Sequence, residues 1–250
     1  MKTFFTTAAI FGIALLLSPV AEGAELRVIA GGSMTGPLNA LAAEFEKATG
    51  HKLSIHFDST PNLIKLATSS APLDLGVVPV DVFKDAAAKA RFVAGPTTDI
   101  ARVGYGVAVR AGAAKPDVST SAALKKTMLD AQSIATIPAS AAGAYVTSVF
   151  ERLGIAEAMK AKTKAQTATT QIPLAVANGE AELGVFLVNV LIAPGVELAG
   201  SFPAELQQEL VFTAAVSADT READAAKAFI DYLKTPAATA VIKAKGMTPG

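Results

Sequence analysis

The chain has 250 residues, 51% of them hydrophobic, and carries 22 basic against 22 acidic side chains with no cysteine. That length supports one or two packed domains that hold together on their cores alone, without disulfides. A formal net charge of zero and the lack of any local basic run leave no electrostatic footprint for nucleic acid, which argues against such a partner.

The first residues read as an export signal. Lys2 supplies a positive start, Phe4 to Leu17 is mostly apolar, and the small residues Ala21 and Gly23 suit cleavage. The apolar run is short for a membrane span, so residues 1–23 are expected to leave a soluble, periplasmic mature chain.

An apolar run from Leu26 to Ala30 then stops at Gly31-Gly32 and delivers Ser33, Thr35 and Pro37 to a helix-period segment, Pro37 to Lys47, with Leu38, Leu41, Ala42 and Phe45 on one face. Gly50 ends it. Leu53, Ile55 and Phe57 alternate with polar residues and predict a strand with one less buried face. The strand-turn-helix construction recurs at Phe57-Asp58-Ser59-Thr60-Pro61. A helix start exposes unsatisfied N–H groups and the positive end of the macrodipole, so hydroxyls placed there either cap the helix or help to hold an anion. Two such turns, each after a strand, would sit side by side at one edge of a parallel sheet and form half of a ligand site.

Further along, Pro61 to Ser69 predicts a short helix, Leu73 to Val78 a buried strand and Val82 to Arg91 a helix, followed by a Gly/Pro/Thr-rich loop from Phe92 to Asp99. Arg102 to Arg110 reads as one long strand interrupted by Gly104 and Gly106, the first crossing into a second lobe. There Ala122 to Ala131 predicts a helix and Ser133 to Pro138 a strand. Ala139 to Gly143 is a third small-residue turn, ahead of a helix carrying Val146, Val149, Phe150 and Leu153 on one face and closed by Gly154. Thr169 to Pro173 opens a helix that stops at Asn178-Gly179. Leu183 to Leu187 reads as a strand, Pro194 to Pro203 as irregular, and Leu210 to Val216 as the return crossing. Two helices, Glu222 to Lys234 and Thr235 to about Lys245, complete the chain. Alternating β and α runs of this kind predict an α/β architecture of mainly parallel sheets flanked by helices. The expected lobes are 24–103 with 212–250, and 104–211, and the ligand lies between them.

These residues resemble a known family, the periplasmic molybdate-binding proteins and their relatives among the solute-binding proteins of ABC importers. The likeness runs through Val28 to Ser33, Leu41 to Gly50, Ala142 to Tyr145, Val176 to Gly184 and Pro194 to Leu198, and covers essentially the whole mature chain. It implies a two-lobed type II periplasmic-binding-protein fold with a two-strand hinge, closing on an oxyanion, monomeric, without a cofactor, and presenting its ligand to a membrane permease. It also implies the site. Hydroxyls and N–H groups come from the turns at Ser33 and Ser59, with Thr60 beside it, and N–H groups come from positions matching Ala142 and Ile172.

The chain departs from the family where a tyrosine is expected. Leu187 takes its place by spacing, so one donor is missing and that wall is more apolar. Asn189 is the candidate for a compensating amide. If the ligand is an organic carboxylate, Arg102 is the first candidate for its recognition; Tyr105 and Tyr145 are further hydroxyls to place.

Catalysis lacks a signature. His51 and His56 are five apart on a loop and a strand, which is no helical metal pair, and no Gly-x-Ser-x-Gly elbow or phosphate-binding loop occurs. Asp58 beside Ser59 has no histidine at a recognisable spacing to complete a nucleophile.

Overall fold

A computed structural model describes residues 23–93 and 97–250. The export signal expected at 1–23 therefore lies almost wholly outside the described residues. Among those described, no helix is long and apolar enough to cross a membrane.

In chain order, β1 (Glu25–Gly31) passes through a 3-10 turn (Gly32–Met34) into α1 (Thr35–Thr49), and β2 (Lys52–Asp58) passes into α2 (Thr60–Ala67). Next come β3 (Leu75–Pro79), a 3-10 turn (Val80–Lys84), α3 (Ala86–Ala90), β4 (Thr98–Val103) and β5 (Tyr105–Arg110). The middle of the chain forms α4 (Ser121–Asp130), β6 (Ile134–Thr136), α5 (Ala141–Arg152), α6 (Ala156–Lys162), β7 (Thr163–Ala165), α7 (Gln171–Asn178), β8 (Leu183–Leu187), α8 (Val188–Leu191) and β9 (Val196–Ser201). After a 3-10 turn (Ala204–Leu206), β10 (Leu210–Val216), α9 (Ala223–Leu233), α10 (Pro236–Ala244) and β11 (Thr248–Pro249) end it.

The strands form two mixed sheets, ordered β11-β4-β10-β3-β1-β2 and β7-β6-β8-β5-β9. We refer to each sheet with its helices as a lobe. In the first lobe β1 runs parallel to β2 and β3, with Gly31 opposite Asp58, so the two strands end level and hand over to their turns side by side. In the second lobe β6 runs parallel to β7 and β8, and Thr136 stands opposite Ala165. Each lobe thus presents the carboxyl ends of a parallel pair to the same cleft, where open α/β sheets bind ligands. Helix ends follow their sequence signals: Gly50 and Gly179 take φ of 77° and 78°, the left-handed conformation open to glycine at a C-terminal cap.

Three expectations are corrected. Arg102 to Arg110 is not one strand: β4 and β5 belong to different sheets and break at Gly104. Pro194 to Pro203 is not irregular but contains β9, an edge strand on β5. Val82 to Arg91 forms a 3-10 turn and the five-residue α3 instead of one helix.

The Gly104 break is the first passage between lobes, and Gln207, just before β10, lies against it. Its Oε1 accepts from the Tyr105 N–H at 2.8 Å, and its Nε2 donates to the Tyr105 carbonyl at 3.0 Å. One amide side chain therefore satisfies both backbone groups of the residue that follows the break, tying the two passages together.

Candidate ligand cleft between the lobes

A cavity of ≈ 220 Å³ lies between the lobes at the strand ends. Its lining combines hydroxyl residues, Ser33, Ser59, Thr60, Ser140, Thr169 and Thr170, with apolar ones, Phe57, Ile137, Phe186 and Phe212 among them. Among the described residues, no lysine or arginine lines it. Gly31 allows the apolar base to form, because a Cβ there would stand 2.6 Å from the Phe212 ring.

The hydroxyl turns differ in how their side chains are used. Ser33 and Ser59 make no side-chain hydrogen bond to protein among the described residues. The helix starts beside them, at Met34 and Ser59, have no side-chain cap. Neither hydroxyl caps the helix beside it, and both residues line the cavity. In the second lobe Ser140 does the opposite. Its Oγ accepts from the Gly143 N–H at 2.9 Å and donates to the Ile137 carbonyl at 2.8 Å. Capping by Ser140 satisfies one N–H of α5 and leaves that of Ala142, which lines the cavity, without a protein partner among the described residues.

Asp58 is the one ionisable side chain among the lining residues, and its oxygens are engaged. Oδ1 accepts from the Ser59 N–H at 2.7 Å and from Asn62 Nδ2 at 2.8 Å, while Oδ2 lies 3.3 Å from His56 Nε2. Partial burial disfavours the charge, yet these hydrogen bonds outweigh it and hold the carboxyl below the usual aspartate range.

Four of the expected site residues, Ser33, Ser59, Thr60 and Ala142, come together around the cavity. Three do not. Ile172 is fully buried, and its N–H is directed to the Thr169 carbonyl at 3.3 Å. Leu187 is fully buried and pairs with Tyr105 in the sheet, while its neighbour Phe186 forms the wall. Asn189 lies outside the cavity, with its Nδ2 donating to the Ser33 carbonyl at 2.8 Å. Arg102 is also elsewhere, paired with Asp99 at 3.0 Å, and the Tyr145 hydroxyl donates to the Leu206 carbonyl. Tyr105 is buried, which pushes its phenol well above the usual range. Sequence reasoning missed Thr169 and Thr170 as lining residues, although both stand in the turn it identified as the start of α7.

The lobes touch around this cavity. The Ala141 N–H donates to Thr60 Oγ1 at 3.3 Å and Thr169 Oγ1 donates to the Gly32 carbonyl at 3.2 Å, in addition to the Asn189 bond. These bonds bridge the two lobes at the cavity's margin.

Two sheets, linked by chain passages that Gln207 ties together, thus border a cavity lined partly by hydroxyls. The family of bacterial extracellular solute-binding proteins matches residues 26–248, and the chain belongs to that family. It is 32% identical over 237 residues to the molybdate-binding protein ModA of Azotobacter vinelandii, covering 92% of each chain. It is also 31% identical over 232 residues to an aconitate isomerase of a Pseudomonas species, covering 90% of this chain and 87% of that one. Among solved structures, the periplasmic molybdate-binding protein of Azotobacter vinelandii superposes with a TM-score of 0.75 at 23% identity, over 89% of this chain and 98% of that one. The tungstate-binding protein TupA of Desulfovibrio alaskensis does so with a TM-score of 0.66 at 17% identity, over 91% and 99%. The fold is that of type II periplasmic binding proteins, and the chain is a divergent relative of the molybdate-binding group.

Proposed function

We propose that this protein is the exported, monomeric binding component of an ABC-type importer, and that it closes its lobes on a small anion of the molybdate or tungstate type for delivery to a membrane permease. The observation that carries this reading is the pair of uncapped hydroxyl residues, Ser33 and Ser59, lining a cavity beside the Ala142 N–H, which has no protein partner among the described residues, with no lysine or arginine among the described lining residues. Preorganised hydroxyls, N–H dipoles and a helix start can hold an anion without a neutralising charge. The named ligands of the molybdate- and tungstate-binding relatives support the choice of anion.

A second reading, a small organic carboxylate, is favoured by the apolar wall. Phe57, Phe186 and Phe212 offer nothing to the oxygens of a tetrahedral oxyanion but would cover a carbon skeleton, and a relative named for aconitate is as similar as the molybdate-binding one. Binding is favoured over turnover under either reading, because the relatives named for molybdate and tungstate are binding proteins and Asp58, the ionisable lining residue, has Oδ1 engaged by the Ser59 N–H and Asn62.

The test is a dye-based thermal-shift screen of the chain from Ala24 onward against molybdate, tungstate, sulfate, phosphate and a panel of mono-, di- and tricarboxylates. Ligands that bind only the folded state raise its melting temperature. A rise with molybdate and tungstate supports the first reading, and a rise with carboxylates alone replaces it by the second. No rise with any of them sinks both.

A further inference from the structure

Asn189 stands on α8, a single turn that begins where β8 ends, and its partner lies 156 positions away in the other lobe. The Ser33 carbonyl is available for a reason written in the sequence. Ser33 lies in the 3-10 turn ahead of α1, and the residue four positions on is Pro37, which has no N–H to offer its carbonyl. Asn189 Nδ2 fills that vacancy at 2.8 Å, on the same residue whose hydroxyl faces the cavity. The orientation of the amide follows, since the carbonyl only accepts and must meet the NH₂ end. The Oδ1 end is then buried without a partner among the described residues, so it is the bond to Ser33 that holds the amide in place.

The rest of α8 seats on the same lobe. A Cβ at Gly246, in the turn after α10, would stand 2.6 Å from Ile192 Cδ1 and 3.6 Å from the Asn189 Cα. The α8 segment therefore rests between the Ser33 turn and the Gly246 turn of the opposite lobe. The two other bonds between the lobes involve Thr60 and Thr169, which line the cavity and would feel a ligand directly. Asn189 does not line it, but lines an adjoining space that shares Gly32, Ser33, Thr35, Thr169 and Thr170 with it.

We infer that Asn189 is a closure latch: its amide, by bonding the Ser33 carbonyl across the lobes, stabilises the closed form without touching the ligand, and so sets how long any ligand stays bound. In the open form both groups are hydrated, so the bond biases one conformation only, which is the condition for shifting a two-state equilibrium. This rests on the proposal that the cavity takes an anion, but closure can be read without one.

The chain has no cysteine, so single cysteines can be placed at exposed Lys65 in the first lobe and exposed Lys164 in the second. Spin labels there report the distance between lobes by pulsed electron resonance. In ligand-free protein, Asn189→Ala is expected to move the distribution towards the open form while the melting temperature stays that of the parent. Whichever probe anions bind the parent, among molybdate, tungstate and tricarboxylates, should dissociate faster by a common factor of about two to ten, the effect of one ordinary hydrogen bond. An unchanged distance distribution overturns the latch. So does a loss confined to one anion, which would make Asn189 a ligand donor. If no anion binds the parent, the functional reading fails and the ligand-free distances alone decide the latch.

Discussion

The Ser59 turn and the Ser140 turn hold matching positions in the two lobes. Each follows a strand of a parallel pair, opens a helix and borders the same cavity. At Ser140 the hydroxyl is consumed by its own helix, and what the turn offers the cavity is the backbone N–H of Ala142. At Ser59 the side chain is left over, because Asp58 organises the turn by accepting from the Ser59 N–H and from Asn62. The neighbouring Ser33 likewise caps nothing. Similar sequences therefore leave different groups without a protein partner among the described residues: a hydroxyl at Ser59 and a backbone N–H at Ala142.

The strongest way to break this comparison is at Gly143. A Cβ there would lie 1.8 Å from the Ile137 carbonyl oxygen, so the Ser140 turn exists only because the loop backbone can press on the first turn of α5. Gly143→Ala should destabilise the protein by about 3 kcal/mol or more, at the upper end of overpacking effects, seen as a lower urea midpoint. A variant that unfolds like the parent would mean this close approach is absent.

Next in size are Ser33→Ala and Ser59→Ala. Each should weaken binding of the anion found in the thermal-shift screen by about 1.5–3 kcal/mol, tenfold or more, as for a donor lost to a charged acceptor. Because neither hydroxyl caps a helix, the melting temperature of the free protein should hardly move. A stability loss of capping size with normal affinity would reverse the assignment.

Ser140→Ala should show the complementary pattern, with about 1 kcal/mol lost from stability for the missing cap and a smaller change in affinity than at Ser59. Titration calorimetry and chemical unfolding on the same samples would give both numbers.

The smallest effect is electrostatic. The Asp58 carboxyl is held below its unfolded value of about 3.9, so its stabilising contribution is complete above that pH and is lost as pH falls through the folded value. Stability should therefore be insensitive to Asp58 from pH 8 to 5. Below about pH 4 the parent should lose its advantage over Asp58→Asn, by under about 1 kcal/mol given the partial exposure of the pair. A parent and variant that stay apart at acid pH would show that charge is not what shapes the Ser59 turn.

Much of the fold was legible because its signals were local and long. The run of α1 from its apolar spacing to Gly50, and the stop of α7 at Gly179, needed only periodicity and a left-handed glycine. The adjacency of the Ser33 and Ser59 turns followed from two consecutive strands running parallel. What failed was what periodicity cannot carry. Every residue of β8 is buried, so no alternation marks which one borders the cavity, and spacing that points to Leu187 does not reveal that its neighbour Phe186 lines it. The edge strand β9 is hidden by Pro194, Gly195, Gly200 and Pro203. With only four residues, α8 is too short for a helical pattern, so Asn189 could be recognised as polar but not as reaching Ser33. Whether a serine caps or stays free depends on the geometry of its neighbours, as Ser59 and Ser140 demonstrate.

The Gln207 staple at Tyr105 has a mechanical corollary. Two separate passages of chain between rigid bodies would still permit shear and twist. With the passages fastened to each other at one residue, those modes stiffen and swinging about a single line remains the soft coordinate. Events at the mouth of the protein are thereby reduced to one angle, a scalar signal that a second molecule contacting both lobes could read without sensing the ligand itself.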